Sequence, residues 1–99
     1  MASGGTHPTL VGSFVGTGAA KSIAEVGFRP KYVKFVNTTL GATAEYMDTM
    51  AADSVITHDS GTDGLVTTEG VTLTDNGFDL GTNAVINGST NIVHYVAFG

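Results

Sequence analysis

Hydrophobic residues recur at every second position along much of this chain. The clearest case is "KYVKFVN", residues 31–37, in which Val33 and Phe35 alternate with Tyr32 and Lys34. Successive side chains of a β-strand point to opposite faces of its sheet, so this period of two predicts a strand with one dry face and one amphipathic face. Tyr32 and Phe35 then lie on opposite faces.

The last segment, "NIVHYVAF", alternates in the same way, with Val93, Tyr95 and Ala97 predicted to share one face. "TLVGSFVGTG" and "KSIAEVGF" predict two earlier strands, the first with Leu10 and Phe14 on one face. "TAEYMDTM" fits either a strand or about two helical turns. We favour the strand because its neighbours are strands.

Turn residues divide these segments. Asn76-Gly77 and Asn87-Gly88 each lie between apolar stretches, and Asn-Gly accepts the positive φ angles of a type I′ hairpin turn. Both pairs therefore predict strand reversals. "DSGTDG", residues 59–64, predicts a loop.

Together these segments predict seven to nine short antiparallel strands spaced about ten residues apart. The predicted fold class is all-β: a compact β-sandwich or small, jelly-roll-like barrel. Many threonines, valines and glycines support strands and turns over helices. We expect a flexible N-terminal arm at residues 1–8 and a single β domain at residues 9–99.

Charge is sparse and unevenly placed. Charged residues make up 13% of the chain, against 41% hydrophobic residues, and the formal net charge is −5. So few charges suggest that other molecules cover much of the surface. All four cations precede residue 35 and most acids follow it, an arrangement that favours complementary contacts with another copy or a partner.

Several functional classes lack support in the sequence. There is no cysteine, and His7, His58 and His94 lack the spacing of a zinc site. The segment from Asp59 to Asp63 has oxygen atoms that could bind calcium, but it lacks the regular acidic spacing and the closing glutamate of an EF-hand loop, so a solvated turn is favoured. We expect no enzyme activity, no cofactor and no bound metal.

Partners can be narrowed in the same way. The apolar runs are far shorter than the roughly 20 residues that span a bilayer, so no membrane segment is expected. Too few cations are present for strong binding to a phosphate backbone, so nucleic acid is not an expected partner.

Two stretches, "GSFVGTG…IAEVGFRPKYVKFVNTT" and "DNGFDLGTNAVINGST…HYVAF", resemble a glycine-aromatic β-module of tailed-bacteriophage virion proteins. The resemblance implies a structural protein made in the host cytoplasm and located on the virion. A module that stands alone is most similar to capsid decoration, or cement, proteins, which stabilise the head by binding its outer surface. It implies the major capsid protein as a partner and self-association as a homotrimer. The alternatives are a tail-tip or tail-fibre module that binds host glycan through Tyr32, Tyr46 and the acidic loop, and a tail-tube or connector component.

On this interpretation the arm and the basic strand make the contacts with neighbouring proteins. The candidate protein–protein interface consists of Thr6, His7, Pro8, Arg29, Lys31, Tyr32 and Lys34.

Overall fold

Eight β-strands and one short helix form the fold in the computed structural model, which describes residues 8–99. All of the predicted arm except Pro8 lies outside the described residues. The strands are β1 Thr9–Val15, β2 Lys21–Ile23, β3 Tyr32–Asn37, β4 Ala42–Met47, β5 Ser54–Asp59, β6 Thr62–Thr74, β7 Gly77–Leu80 and β8 Ile92–Phe98; the helix is α1 Ala84–Asn87.

The strands form one sheet in the order β1-β8-β3-β4-β5-β6-β7-β2, and every neighbouring pair is antiparallel. The sheet curls into a half-barrel. The predicted all-β class and strand number are confirmed, and the architecture is the barrel-like alternative, with one continuous sheet. The strand predicted at "TAEYMDTM" is also confirmed as β4.

The inner face of the half-barrel carries the core. On β3 and β8 the burial alternates strictly, as the period of two predicts. Phe78 is fully buried and makes edge-to-face contacts with Phe35 and Tyr95, with ring centroids 5.4 and 5.3 Å apart. Such aromatic pairs add to the stabilisation that area burial alone provides. The predicted inner faces of these strands are therefore confirmed.

The two edge strands, β1 and β2, follow each other in sequence. Residues 16–20 connect them and cross one end of the half-barrel. The fully buried Asn87 holds this connector: its side-chain amide donates to the carbonyl oxygens of Ala19 (2.6 Å) and Gly81 (2.9 Å), and its Oδ1 accepts from the Thr17 amide (2.9 Å). One buried side chain thus fixes the link between the two edges.

A second buried asparagine holds the helix in place. The Asn37 side chain, at the end of β3, donates to the carbonyl oxygen of Val85 at 3.0 Å and accepts from the Leu40 amide at 2.9 Å. Because buried amide groups need partners, these bonds join α1 to the sheet.

The Asn-Gly predictions were partly wrong. A hairpin does join β6 to β7, but Thr74 pairs with Gly77, so its two turn residues are Asp75 and Asn76, and neither has a positive φ. Gly77 is required for a different reason, since a Cβ there would collide with the carbonyl oxygen of Ile23.

Asn87-Gly88 is not a strand reversal. It ends α1, where Gly88 has φ −63° and its amide donates to the Ala84 carbonyl oxygen. A Cβ on Gly88 would lie 2.6 Å from that same oxygen. Close backbone packing therefore accounts for this glycine.

Two other predicted segments are shorter than expected. The strand at "KSIAEVGF" spans only three residues, because the chain turns after Ile23 to cross towards β3. The predicted loop at residues 59–64 is a two-residue hairpin turn at Ser60 and Gly61, whose φ angles of 53° and 78° are both positive, as a type I′ turn requires.

Candidate protein-binding surface

The outer face of the half-barrel exposes apolar side chains over three neighbouring strands. On this face Val11 of β1 pairs with Val96 of β8, and Val15 pairs with Ile92. Ile92 and Val96 lie on either side of His94 along β8. We call this surface the apolar patch; its members are Val11, Val15, Val36, Ile92, Val96 and Phe98.

The patch arises because β1, β3 and β8 carry apolar residues on both faces. Their inner residues build the core, and the same alternation directs the outer residues towards solvent. Val11 is 74% exposed, Val15 is 56% exposed and Ile92 is 48% exposed. Contiguous exposure of this kind differs from scattered surface apolar residues and is typical of a protein-binding site.

A shallow depression of about 180 Å³ lies within the patch. Val11, Val36 and Val96 line it together with Lys34 and His94. An apolar side chain of a partner fits the floor of this depression, while the lysine at its border offers a contact to an acidic group.

The structure brings three of the predicted interface residues together at one end of the patch. Pro8 accepts a hydrogen bond from the Gly99 amide at 2.9 Å, and Lys31 donates its amide to Phe98 at 2.6 Å. The ring of Tyr32 packs on that of Phe98 with centroids 5.9 Å apart. The exposed Lys34 lies two positions further along β3, on the same face.

Arg29 does not join this group. Its guanidinium reaches the opposite wall of the half-barrel, where it donates to the Leu73 carbonyl oxygen at 3.4 Å and lies 3.9 Å from the Asp75 carboxylate. Arg29 therefore lies apart from the other predicted interface residues, and its role in an interface stays a prediction. Thr6 and His7 lie outside the described residues.

A polar network that sequence reasoning missed borders the patch. The Tyr32 hydroxyl donates to Glu45 at 2.6 Å, the other Glu45 oxygen lies 3.0 Å from His58 Nε2, and His58 Nδ1 lies 2.7 Å from Asp63. These four residues come from β3, β4, β5 and β6 in order. They meet because antiparallel pairing aligns residues that are far apart in sequence.

The network shifts the protonation of its members. Desolvation, followed by the bond to Glu45, raises the pKa of Tyr32 to about 12. The bonds from Tyr32 and His58 lower the pKa of Glu45, and the bonds to Asp63 and Glu45 raise the pKa of His58. Each carboxylate thus favours the protonated imidazole between them.

The acidic hairpin does not assemble its oxygens around one point. Asp63 pairs with His58, whereas Asp59 pairs with Thr62 and faces the other side of the hairpin. Among residues 8–99, no group of three or more His, Cys, Asp or Glu side chains is arranged to hold a metal ion.

Tyr46, proposed for glycan stacking, is only 3% exposed. Its hydroxyl donates to the carbonyl oxygens of Met50 and Ala51 at 3.0 and 3.2 Å. The predicted pair of exposed tyrosines was therefore wrong.

No protein-family model, curated protein or solved structure matches this chain. Within the part of the chain that the structure describes, no helix is long and apolar enough to cross a membrane.

Proposed function

We propose that this chain is a non-enzymatic structural protein of a tailed-bacteriophage virion, specifically a decoration protein that binds the outer surface of the head. The observation that carries the proposal is the apolar patch on the outer face of β1, β8 and β3, which gives a partner protein a continuous surface to cover. The virion assignment itself rests on the resemblance of the glycine-aromatic segments.

The geometry of the patch suits docking onto a broad protein surface. Its side chains project from a rigid sheet whose opposite face is the core, so binding needs little ordering of the backbone. Protein-binding sites of this kind have an apolar centre and a polar rim. Here Lys34 and the network around Glu45 form the rim on the β3 side.

The cation in the patch indicates the charge of the partner. Lys34 is exposed on the patch face although the protein has a net charge of −5. A complementary surface on the major capsid protein would place an acidic side chain opposite this lysine. Apolar burial then supplies most of the affinity, and the charges fix the orientation.

The location is tested by immunogold electron microscopy of virions from the phage that encodes the chain. Label on the head supports decoration. Label confined to the tail overturns the decoration role in favour of the tail alternatives, and unlabelled virions overturn the virion role altogether.

The binding surface is tested with purified protein and heads assembled without it. Val36→Glu places a charge inside the patch and should weaken binding at least about tenfold, since a buried unpaired charge is costly. Leu65→Glu is the matched control, because Leu65 is 63% exposed on β6 and lies outside the patch. Equal binding by the two variants would show that the patch is not the head contact.

A further inference from the structure

The outer edge of β1 has backbone groups that no described strand pairs with. β1 is the first strand of the sheet, and only β8 is its neighbour. Gly99 donates its amide to Pro8, and Gly16 donates its amide to Asn91, so the even-numbered residues of β1 bond to β8. Antiparallel ladders alternate, so the amides and carbonyls of the odd-numbered residues point away from the sheet. These residues are Thr9, Val11, Ser13 and Val15.

This edge lacks the features by which monomeric proteins prevent pairing. Edge strands are usually short, interrupted by a bulge or proline, or guarded by lysine. β1 spans seven residues, pairs with β8 without a register shift and contains no charge or proline. At the opposite edge, β2 is three residues long and begins with Lys21. Only one edge is therefore suited to accept another strand.

We infer that the β1 edges of two copies pair antiparallel around a two-fold axis at Gly12, which joins the two sheets into one. A symmetric pair centred on this residue places Thr9 opposite Val15 of the other copy and Val11 opposite Ser13. Both members of each such pair carry outward-pointing backbone groups. Full pairing forms about eight hydrogen bonds between the chains.

The side chains agree with this register. On the inner face, Leu10 meets Phe14 of the other copy; both are half-buried in one copy alone. They form a non-hydrogen-bonded pair, in which side chains approach most closely. Gly12 faces its own counterpart at the axis, and the Tyr95 ring of the same copy lies over it where a Cβ would be.

Charge and surface continuity favour a second copy as the occupant. Two molecules of net charge −5 repel at a distance, but the paired strands themselves bring no like charges together. In this register Val11 lies opposite Ser13 of the other copy and diagonal to its Val11 and Val15. The outer faces remain free, so two apolar patches become one larger surface. The inference does not depend on the virion role, and a two-fold pair differs from the trimer that the resemblance implies.

Amide hydrogen exchange, followed by NMR on the full chain over a range of protein concentrations, tests the pairing. The amides of Leu10, Gly12 and Phe14 bond to β8 and should be protected at every concentration. The amides of Thr9, Val11, Ser13 and Val15 should gain at least about tenfold protection as concentration rises, in step with dimer formation by sedimentation. Protection that is unaffected by dilution would show that the chain covers its own edge. Absent protection up to about 1 mM, or a trimer with these amides exposed, would also overturn the inference.

Matched variants separate backbone pairing from side-chain effects. Ser13→Pro removes an outward amide and leaves the β8 ladder intact, so it should raise the dimer dissociation constant at least about tenfold. Ser13→Ala keeps the amide and should dimerise like the natural protein. If Ser13→Pro fails to fold, Val11→Lys makes the same test, because a lysine on an edge strand opposes pairing with another strand. Leu65→Lys is its control, since Leu65 lies on β6 and not on the β1 edge. Unchanged dimerisation in folded Ser13→Pro or Val11→Lys would exclude this edge.

Discussion

Replacing Asn87 with alanine should destabilise the protein more than its position in a four-residue helix suggests. The substitution removes three hydrogen bonds, to Thr17, Ala19 and Gly81, from a side chain with no solvent exposure. A typical intramolecular hydrogen bond contributes about 1 kcal/mol net. Thr17 and Ala19 are exposed, so water can replace part of the loss on their side.

Adding the cavity left by the amide gives an expected loss of about 2 to 4 kcal/mol. Domains of this size have a free energy of unfolding of about 5 to 15 kcal/mol. The loss is thus a large share of the total. Urea denaturation followed by circular dichroism should show a midpoint lowered by roughly 1 to 3 M.

Two further variants identify the cause. Asn87→Asp keeps the size of the side chain and can still accept from Thr17, but it sets a carboxylate against two carbonyl oxygens, so it should be at least as destabilised as the alanine variant. Asn76→Ala changes an exposed turn residue and should stay within about 0.5 kcal/mol of the natural protein. The reasoning is refuted if Asn87→Ala matches the Asn76 control, or if Asn87→Asp is as stable as the natural protein.

Two other predictions concern the sheet. Gly77→Ala should prevent normal packing of β7 against β2, because the added Cβ would meet the carbonyl oxygen of Ile23. Gly64→Ala on β6 is the control, since a Cβ there meets nothing within 4 Å. Thermal unfolding should show a large decrease in Tm for Gly77→Ala only. His58 has a pKa raised above its ordinary value of 6.5 by Asp63 and Glu45, so its stabilising effect is complete below that value and is lost as pH rises through the raised pKa. Urea denaturation at pH values from about 5.5 to about 9 spans the ordinary pKa of histidine and the range above it. The free energy of unfolding of the natural protein should fall relative to that of His58→Gln as the pH rises. Parallel pH profiles for the two proteins would contradict this prediction.

Local periodicity was enough to predict which faces of the main strands are buried. On β3 and β8 the alternating apolar residues form the core as expected, because a strand buries every second side chain whatever its neighbours are. The order of the strands was not predictable in this way. β8 lies between β1 and β3, and nothing in a single strand specifies such distant neighbours.

The polar network at the candidate site was also not predictable from local sequence, because it depends on which strands are neighbours. Tyr32, Glu45 and His58 are each 13 positions apart, a spacing with no meaning until the pairing of β3, β4 and β5 is known. The type I′ turns predicted at the two Asn-Gly pairs were wrong for a related reason, since these glycines are determined by tertiary contacts. Gly77 and Gly88 are explained by atoms of other segments that approach their Cα positions, and turn propensity carries no information about such tertiary contacts.

The path of the chain explains why the half-barrel has an edge to offer. Closing the barrel would require β1 to pair with the free edge of β2, but in the described residues β1 pairs only with β8 and β2 only with β7. The short connector of residues 16–20 joins the two edge strands at one end. Asn87 fixes that connector, so β1 is held rigidly in place while its outward backbone groups remain available. A fully closed barrel has no edges and cannot extend its sheet into another molecule. The incomplete closure of this fold is therefore the structural basis of the β1 pairing that we infer, and the apolar patch that continues from β1 onto β8 lies on the face that such a pairing would leave uncovered.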